Sequence, residues 1–329
     1  MIRYGNSRSI PELKRLWKEC FADEDAYIDA FFEAMYEDEY VLMEEENGVL
    51  LGASFFLPGK IWLDQPESGQ KPQTGAKTRH GQDADSGAWQ QIRYVYALAV
   101  WPQYRGQGIA AKLLRAAHEI YHAPLLAEPA EESLVGGFYR PLGFQENFYL
   151  MKKQAVLPVY NVQAAEIPAS AEMPALAEMP ASAEMPASSD TALLPVQAAA
   201  YSSIRDKILK AHGYISWPVR HVAFAIKEHI SSGGGAFILT RGGRKDLLLY
   251  YQEGQKAVVT ETTLSQEEAE KWLFPRIAGH CTQAVFTSAA KRTDRPEKSG
   301  YAADSKCCLT GMSLGLPSVY GYLNLSLDG

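Results

Sequence analysis

Between Ala165 and Ser188 the chain repeats nearly the same six residues four times: AEIPAS, AEMPAL, AEMPAS, AEMPAS. Alanine, glutamate and methionine favour helix. A proline at every sixth position (Pro168, Pro174, Pro180, Pro186) breaks one and pushes each preceding residue toward extended geometry. Such a segment buries no core, and we read 157–195 as a semi-extended spacer. It divides the 329-residue chain into parts of single-domain size, 1–153 and 200–329.

Both parts read as mixtures of helix and strand. In the first, a strand at Ile2–Tyr4 precedes a helix to Cys20, opened by a Ser9/Glu12 capping box, and a second helix over Tyr27–Met35. Strands follow at Tyr40–Glu45, Val49–Leu57 and Gln91–Val100, the last two separated by a soft insertion from Asp64 to Gly87. A helix over Ile109–His122, a strand at Leu125–Glu128, a helix ending near Tyr139 and a strand at Phe148–Lys152 complete the unit. The second part repeats the order: helices at Ser202–Lys210 and Pro218–His229, strands at Ala236–Thr240, Leu247–Tyr251 and Ala257–Glu261, then a helix over Gln266–Ile277 and a strand at Ala284–Ser288. Two late strands, near Leu309–Ser313 and Tyr320–Leu325, finish it. The expected fold class is α+β with a mixed sheet, and the order suggests a structural duplication.

Composition narrows the functions. With 47% hydrophobic and 22% charged residues the chain is an ordinary globular sequence. A net charge of −7 disfavours nucleic acid as a partner. No apolar run approaches the ~18 residues of a membrane helix, and the N-terminus lacks an apolar signal core, so a cytoplasmic protein is expected. Cys20, Cys281, Cys307 and Cys308 form no C-x-x-C pair and read as reduced structural thiols. The oligomeric state is left open.

The chemistry concentrates after Val100, where "WPQYRGQGIAAKLL" takes a strand through a glycine-bearing turn into a helix. The first helical N–H groups have no internal partner, and the helix dipole adds partial positive charge to them. Gly106 and Gly108 remove side chains from the approach, and Arg105 adds a cation. The same helix ends in His118-Glu119-Ile120-Tyr121-His122, the H-E-x-x-H spelling of zinc hydrolases. Its apolar residues Ile109, Leu113, Ala116, Ala117 and Ile120 share one face, and the two histidines point away from it beside Arg115. We read them as solvated side chains and expect no metal.

The segment "YALAVWPQYRGQGIAAKLL" resembles motif A of the GCN5-related N-acetyltransferase (GNAT) superfamily, with Arg105, Gly108 and Ala110 in the places of its loop pattern. "FYRPLGF", Phe138–Phe144, resembles that family's motif B. The likeness covers roughly Ile2 to Lys153. It implies a catalytic GNAT unit at 1–153 and, by the tandem order, a degenerate GNAT-like unit at 200–329. Acetyl-CoA, as co-substrate, would lay its pyrophosphate on the amides of Gly106, Gln107, Gly108, Ile109, Ala110 and Ala111. Its pantetheine arm would pair with the strand edge at Leu98, Ala99 and Val100. By the same likeness Tyr139 would protonate the departing thiolate. An amine with a pKa of about 10 must lose a proton before it attacks. The strand before motif A offers no glutamate among Arg93–Tyr96, and Glu132 stands where many members carry asparagine. Glu128 is the candidate base.

The second part has no equivalent anion site. At its strand-to-helix junction Ser265 and Glu268 make a capping box and Glu267 adds another carboxylate, which repels a pyrophosphate. Gly233–Gly235 and Gly242–Gly243 read as turns. The tandem order resembles enhanced-intracellular-survival type acetyltransferases, in which the chain's terminal carboxylate approaches the site; Gly329 would supply it here. Two acidic groups, Asp23–Asp25 and Glu37–Glu39, flank the second helix and would attract a cationic amine. The expected activity is acetyl transfer to a small-molecule or peptide amine. An aminoacyl transferase on a related fold and a non-catalytic acyl-CoA sensor are the rival readings.

Overall fold

In the computed structural model each strand of the first half alternates its side chains between two helical layers. The residues described are 1–64, 87–156, 191–265, 267–269, 281–289 and 305–316. The Ala/Glu/Met/Pro repeat, most of the 64–87 insertion, most of the helix expected over 266–277, the strand expected at 320–325 and Gly329 lie outside them.

Strands β1 (Ile2–Tyr4), β2 (Val41–Glu46), β3 (Val49–Asp64) and β4 (Gly87–Val100) form an antiparallel series. Asn47 and Gly48 close the β2–β3 hairpin at φ +52° and +79°, the positive pair that a two-residue turn needs to follow the twist of its strands. Helices α1 (Ile10–Phe21) and α2 (Asp25–Met35) cover one face, where Trp17 and Phe31 meet Phe55, Tyr94 and Tyr96. Helix α3 (Ile109–Tyr121) covers the other, where Leu113 meets Phe56 and Val95. Neighbours such as Phe55 and Phe56 thus serve opposite layers, as strand geometry requires.

Two local expectations shift. Ser9 makes no capping bond to α1; its hydroxyl takes a bond from Arg3 Nη2 at 3.3 Å. The helix is entered instead through a 3-10 turn, Ser7–Ser9, capped by Asn6. On α3 the buried stripe runs through Leu114, while Ile120 is 39% exposed.

The second half builds β7 (Thr191–Pro195), α5 (Ala198–Leu209), β8 (Ile215–Ser216), α6 (Val219–Ser231), β9 (Gly235–Arg241), β10 (Arg244–Glu253), β11 (Lys256–Thr262) and β12 (Gln283–Ala289). Residues 191–195, assigned above to the spacer, form a strand antiparallel to β9. Pro195 is tolerated there because β7 ends the sheet. Arg205, 1% exposed, donates to both Glu261 oxygens, to the Tyr214 hydroxyl and to the Ile215 carbonyl, tying α5 to β11 and β8. The Ser265/Glu268 capping box forms as expected, with Ser265 N donating to Glu268 Oε2 at 3.1 Å and Glu268 N to Ser265 Oγ at 3.3 Å.

The two halves share one mixed sheet. Within it β4 runs parallel to β5 (Leu125–Ala127), and β11 runs parallel to β12. Between these pairs lie β6 (Gln145–Val156) and β13 (Ser305–Leu314), and they are exchanged. The late strand β13 pairs with β5 of the first half. Strand β6 lies between β12 and β13, both from the second half. Strand β8 adds a short pairing with β3. Across the seam Phe224 of α6 meets Tyr27 and Phe31 of α2, each with ring centroids 5.7 Å apart, and Arg220 meets Glu37 at 2.7 Å. Among the described residues no helix is long and apolar enough to cross a membrane.

Candidate active site

Strands β4 and β5 are hydrogen-bonded only where Arg93–Val95 face Leu125–Ala127. Beyond Val95 they separate. The register of β4 against β3 slips between Phe55↔Tyr96 and Ala53↔Ala99, and Ala97 within the slip has φ +49°. This is a β-bulge, which bends its strand and disrupts the ladder locally. Ser54 Oγ, fully buried, donates to the Tyr96 carbonyl at 3.1 Å and steadies the bend. Past it, Ala99 and Val100 pair with Ala53 and Gly52 of β3, so their opposite edge faces the gap that β5 has left. Leu98, Ala99 and Val100 therefore lie on an open strand edge.

That edge leads directly to the glycine loop. Residues Pro102–Tyr104 make a 3-10 turn, Arg105 is extended, and Gly106 and Gly108 adopt φ +77° and +75°. The first bond of α3 runs from Lys112 N to the Gly108 carbonyl at 2.9 Å. The amides of Ile109, Ala110 and Ala111 precede it and have no acceptor within the helix. Residues 105–108 are exposed, and a methyl built on either glycine would meet nothing within 4 Å. The glycines thus supply the left-handed backbone and leave the approach clear. Arg105 does not reach outward: its Nε donates to the Val100 carbonyl at 3.1 Å, pinning the loop to the end of β4.

Gly52 explains how close these parts lie. A methyl there would fall 2.7 Å from the Ala99 carbonyl and 3.1 Å from Ile109 Cγ2. The sequence carries a signal for it, an isolated glycine inside an apolar strand, but the reading above did not select it.

Tyr139 ends a π-helical turn, Val135–Tyr139, that continues α4 (Glu132–Leu134). Its ring is buried, edge-on to Phe138 and Phe144, in the cluster that includes Val95 and Ile109 and borders Leu98 and Val100. Glu128 follows β5 directly, at the mouth of the gap, half-buried. The structure therefore gathers the loop, the open edge, Tyr139 and Glu128 around one cleft. His118 and His122 stand at the far end of α3. His122 has left the helix as its C-cap at φ +48°, so the two rings no longer share a regular helical turn.

On the α1–α2 side, Tyr96 reaches a cavity of 620 Å³ at the seam between the halves. Asp23 and Glu24 of the first acidic group line it, while Asp25 pairs with Lys18 at 3.1 Å. The second group faces elsewhere: Glu37 pairs with Arg220, and Asp38 accepts from the Tyr36 hydroxyl. Glu228, His229, Tyr251 and Glu253 complete the wall from the second half. Burial pushes the Glu228 carboxyl above its ordinary value, with Lys227 acting the other way. Burial lowers the His229 imidazole; its Nδ1 lies 2.7 Å from the Ala225 carbonyl and its Nε2 2.8 Å from Thr260 Oγ1.

Residues 73–146 match the family model of the acetyltransferase (GNAT) domain. The chain has a GNAT fold. Solved structures agree: a GCN5-related N-acetyltransferase from Anabaena variabilis superposes with a TM-score of 0.62 at 13% identity, over 95% of this chain and 72% of that one. One from Kribbella flavida gives 0.58 at 12%, over 95% and 71%. Eis1 from Mycobacterium abscessus gives 0.55 at 12%, over 95% and 72%. A comparison with curated proteins finds no match. The likenesses span both halves, so the shared sheet belongs to the compared region of this GNAT chain as much as the glycine loop does.

Proposed function

We propose that the chain is an acyl-CoA-dependent N-acyltransferase that moves an acetyl group directly to an amine acceptor. The observation that carries this reading is continuity: the open edge of β4 runs without interruption into the exposed amides that begin α3. An extended pantetheine arm pairs with Leu98–Val100 as an added strand, and its pyrophosphate takes the amides of residues 106–111. Donor and acceptor are then held together at the bulge, which removes the entropic cost of their encounter.

The neutral amine attacks the thioester carbon, and a strand amide at the bulge donates to the carbonyl oxygen as it gains charge. Collapse breaks the C–S bond and expels the thiolate, which takes the Tyr139 hydroxyl proton. Glu128 accepts the proton shed by the nitrogen, directly or across one water. No lysine or arginine other than Arg105 lies within the loop from Trp101 to Ala111, so the backbone amides carry most of the anion binding.

The test is an acetyl-CoA titration followed by loss of thioester absorbance with a panel of primary amines. Saturable binding and amine-dependent consumption are expected. Binding without consumption would leave a sensor, and no binding would remove the reading altogether.

A further inference from the structure

The seam cavity has a composition that the transfer reaction alone does not require. Four carboxylates reach it, Asp23 and Glu24 from the α1–α2 connection, Glu228 from α6 and Glu253 from β10, with no lysine or arginine among its described lining residues. The Asp23 carboxylate is already engaged by the Trp17 indole at 2.6 Å, which leaves Glu24, Glu228 and Glu253 as the principal charges. Aromatic rings from both halves, Tyr27, Tyr96, Phe224 and Tyr251, stand between them. A volume of 620 Å³ is in the range of small-molecule sites. Tyr96 connects this space to chemistry, since it is the last residue of β4 before the bulge.

Acids and reacting amine are in conflict if they meet at one nitrogen. A carboxylate beside an ammonium stabilises its charged form, and an ammonium has no lone pair with which to attack. A single amine seated among Glu24, Glu228 and Glu253 would be held and silenced. The conflict disappears when the acceptor has two nitrogens. One remains protonated among the carboxylates and over the aromatic faces, which favour cations. The other lies toward Tyr96, away from the acids, where it loses its proton and reaches the thioester. The rings between them suit a connecting hydrocarbon chain.

We infer that the seam cavity is the acceptor site and selects a small amine bearing a second positive charge, held by Glu228 of the second half. This rests on the transferase reading for its reaction but not for its binding. It also gives the second half a task, the recognition of the acceptor.

Full-length protein with acetyl-CoA is compared on putrescine, spermidine and butylamine, alongside Glu228→Gln. Putrescine or spermidine is expected to exceed butylamine in kcat/KM. Glu228→Gln should lower that preference by about tenfold, mainly through KM, as expected for loss of one charge-assisted hydrogen bond. Calorimetric titration of putrescine into the protein with CoA reads the site without turnover: binding that weakens in Glu228→Gln supports the inference even if no acetyl group moves. The acetyl-CoA titration reports separately on the donor reading and on the folding of the variant. Equal use of butylamine and putrescine, or absence of putrescine binding to the wild type, overturns the inference.

Discussion

The hydroxyls of Tyr27 and Tyr96 lie 2.7 Å apart, joining the first turn of α2 to the last residue of β4 before its bulge. This bond spans the wall between the acceptor cavity and the strand that holds the donor. Phenylalanine at either position leaves the other hydroxyl short of a partner at a half-buried site, at a cost of about 1 kcal/mol. Removing both leaves nothing to satisfy, so the double variant is expected to cost little more than either single one. A double-mutant cycle by urea denaturation checks this. Additive losses would show that the pair is not coupled.

Gly108 and Gly52 are both glycines for backbone reasons, but the reasons differ and so do the expected effects. Gly108→Ala meets no atom and pays only for its left-handed φ, about 1–2 kcal/mol. It should weaken acetyl-CoA binding about tenfold or more as the loop moves to relieve φ. Gly52→Ala forces its methyl against the Ala99 carbonyl at 2.7 Å, so strand and helix must part. Its larger effect is expected in the thermal midpoint, with donor affinity following. Reversal of that order would mean the loop, not the strand, sets the geometry.

Tyr139→Phe keeps the ring that packs against Phe138 and Phe144 and removes only the proton donor. Turnover is expected to fall by about ten- to a hundredfold, toward the low end for general acids because a thiol of pKa near 8.5 leaves readily. Acetyl-CoA affinity should hold. Single-turnover kinetics beside a binding titration separates the two, and unchanged turnover would end the proposed acid role.

How far these features were legible follows from the range of the forces that make them. The loop and α3 were readable because glycine, helix periodicity and an apolar strand act within twenty residues. The bulge was not, since Ala97 adopts a left-handed φ that alanine ordinarily avoids and nothing nearby signals it. Ser265 and Glu268 met as a capping box, while Ser9 lost its role to Arg3, a partner outside any helical register. The exchange of β6 and β13 was hidden entirely. Pairing between residues 150 apart leaves no local trace, and a strand buried between two others reads the same whichever neighbours it has. Arg205 was equally invisible, because its burial depends on Glu261 and Tyr214 arriving from elsewhere.

That exchange makes a direct prediction. A fragment of residues 1–156 would present β6 with neither of its neighbours and β5 with one edge bare, each a row of unpaired backbone groups. It is expected to lack a cooperative thermal transition, whereas the full chain melts as one unit by calorimetry. Co-expression with 191–329 should restore a soluble complex. A cooperative melt of 1–156 alone would show that the first half closes its own sheet.

The pH response tests the buried imidazole of His229. Burial lowers its pKa below the ordinary 6.5, so the folded chain resists a proton that the unfolded chain accepts. At pH above 6.5 both states are neutral there and the residue contributes nothing. As pH falls from 6.5 toward the folded value the unfolded state binds more protons, so stability declines through that window. Glu228 acts in the opposite sense. Its folded pKa is raised above 4.5 by burial, so stability rises as pH falls from that folded value toward 4.5. His229→Gln keeps a polar side chain that can still bond Thr260 and removes the titration. Denaturation midpoints between pH 7 and 5 should therefore fall less steeply in the variant than in the wild type. Parallel slopes would mean that the imidazole stays neutral in both states and carries no pH dependence.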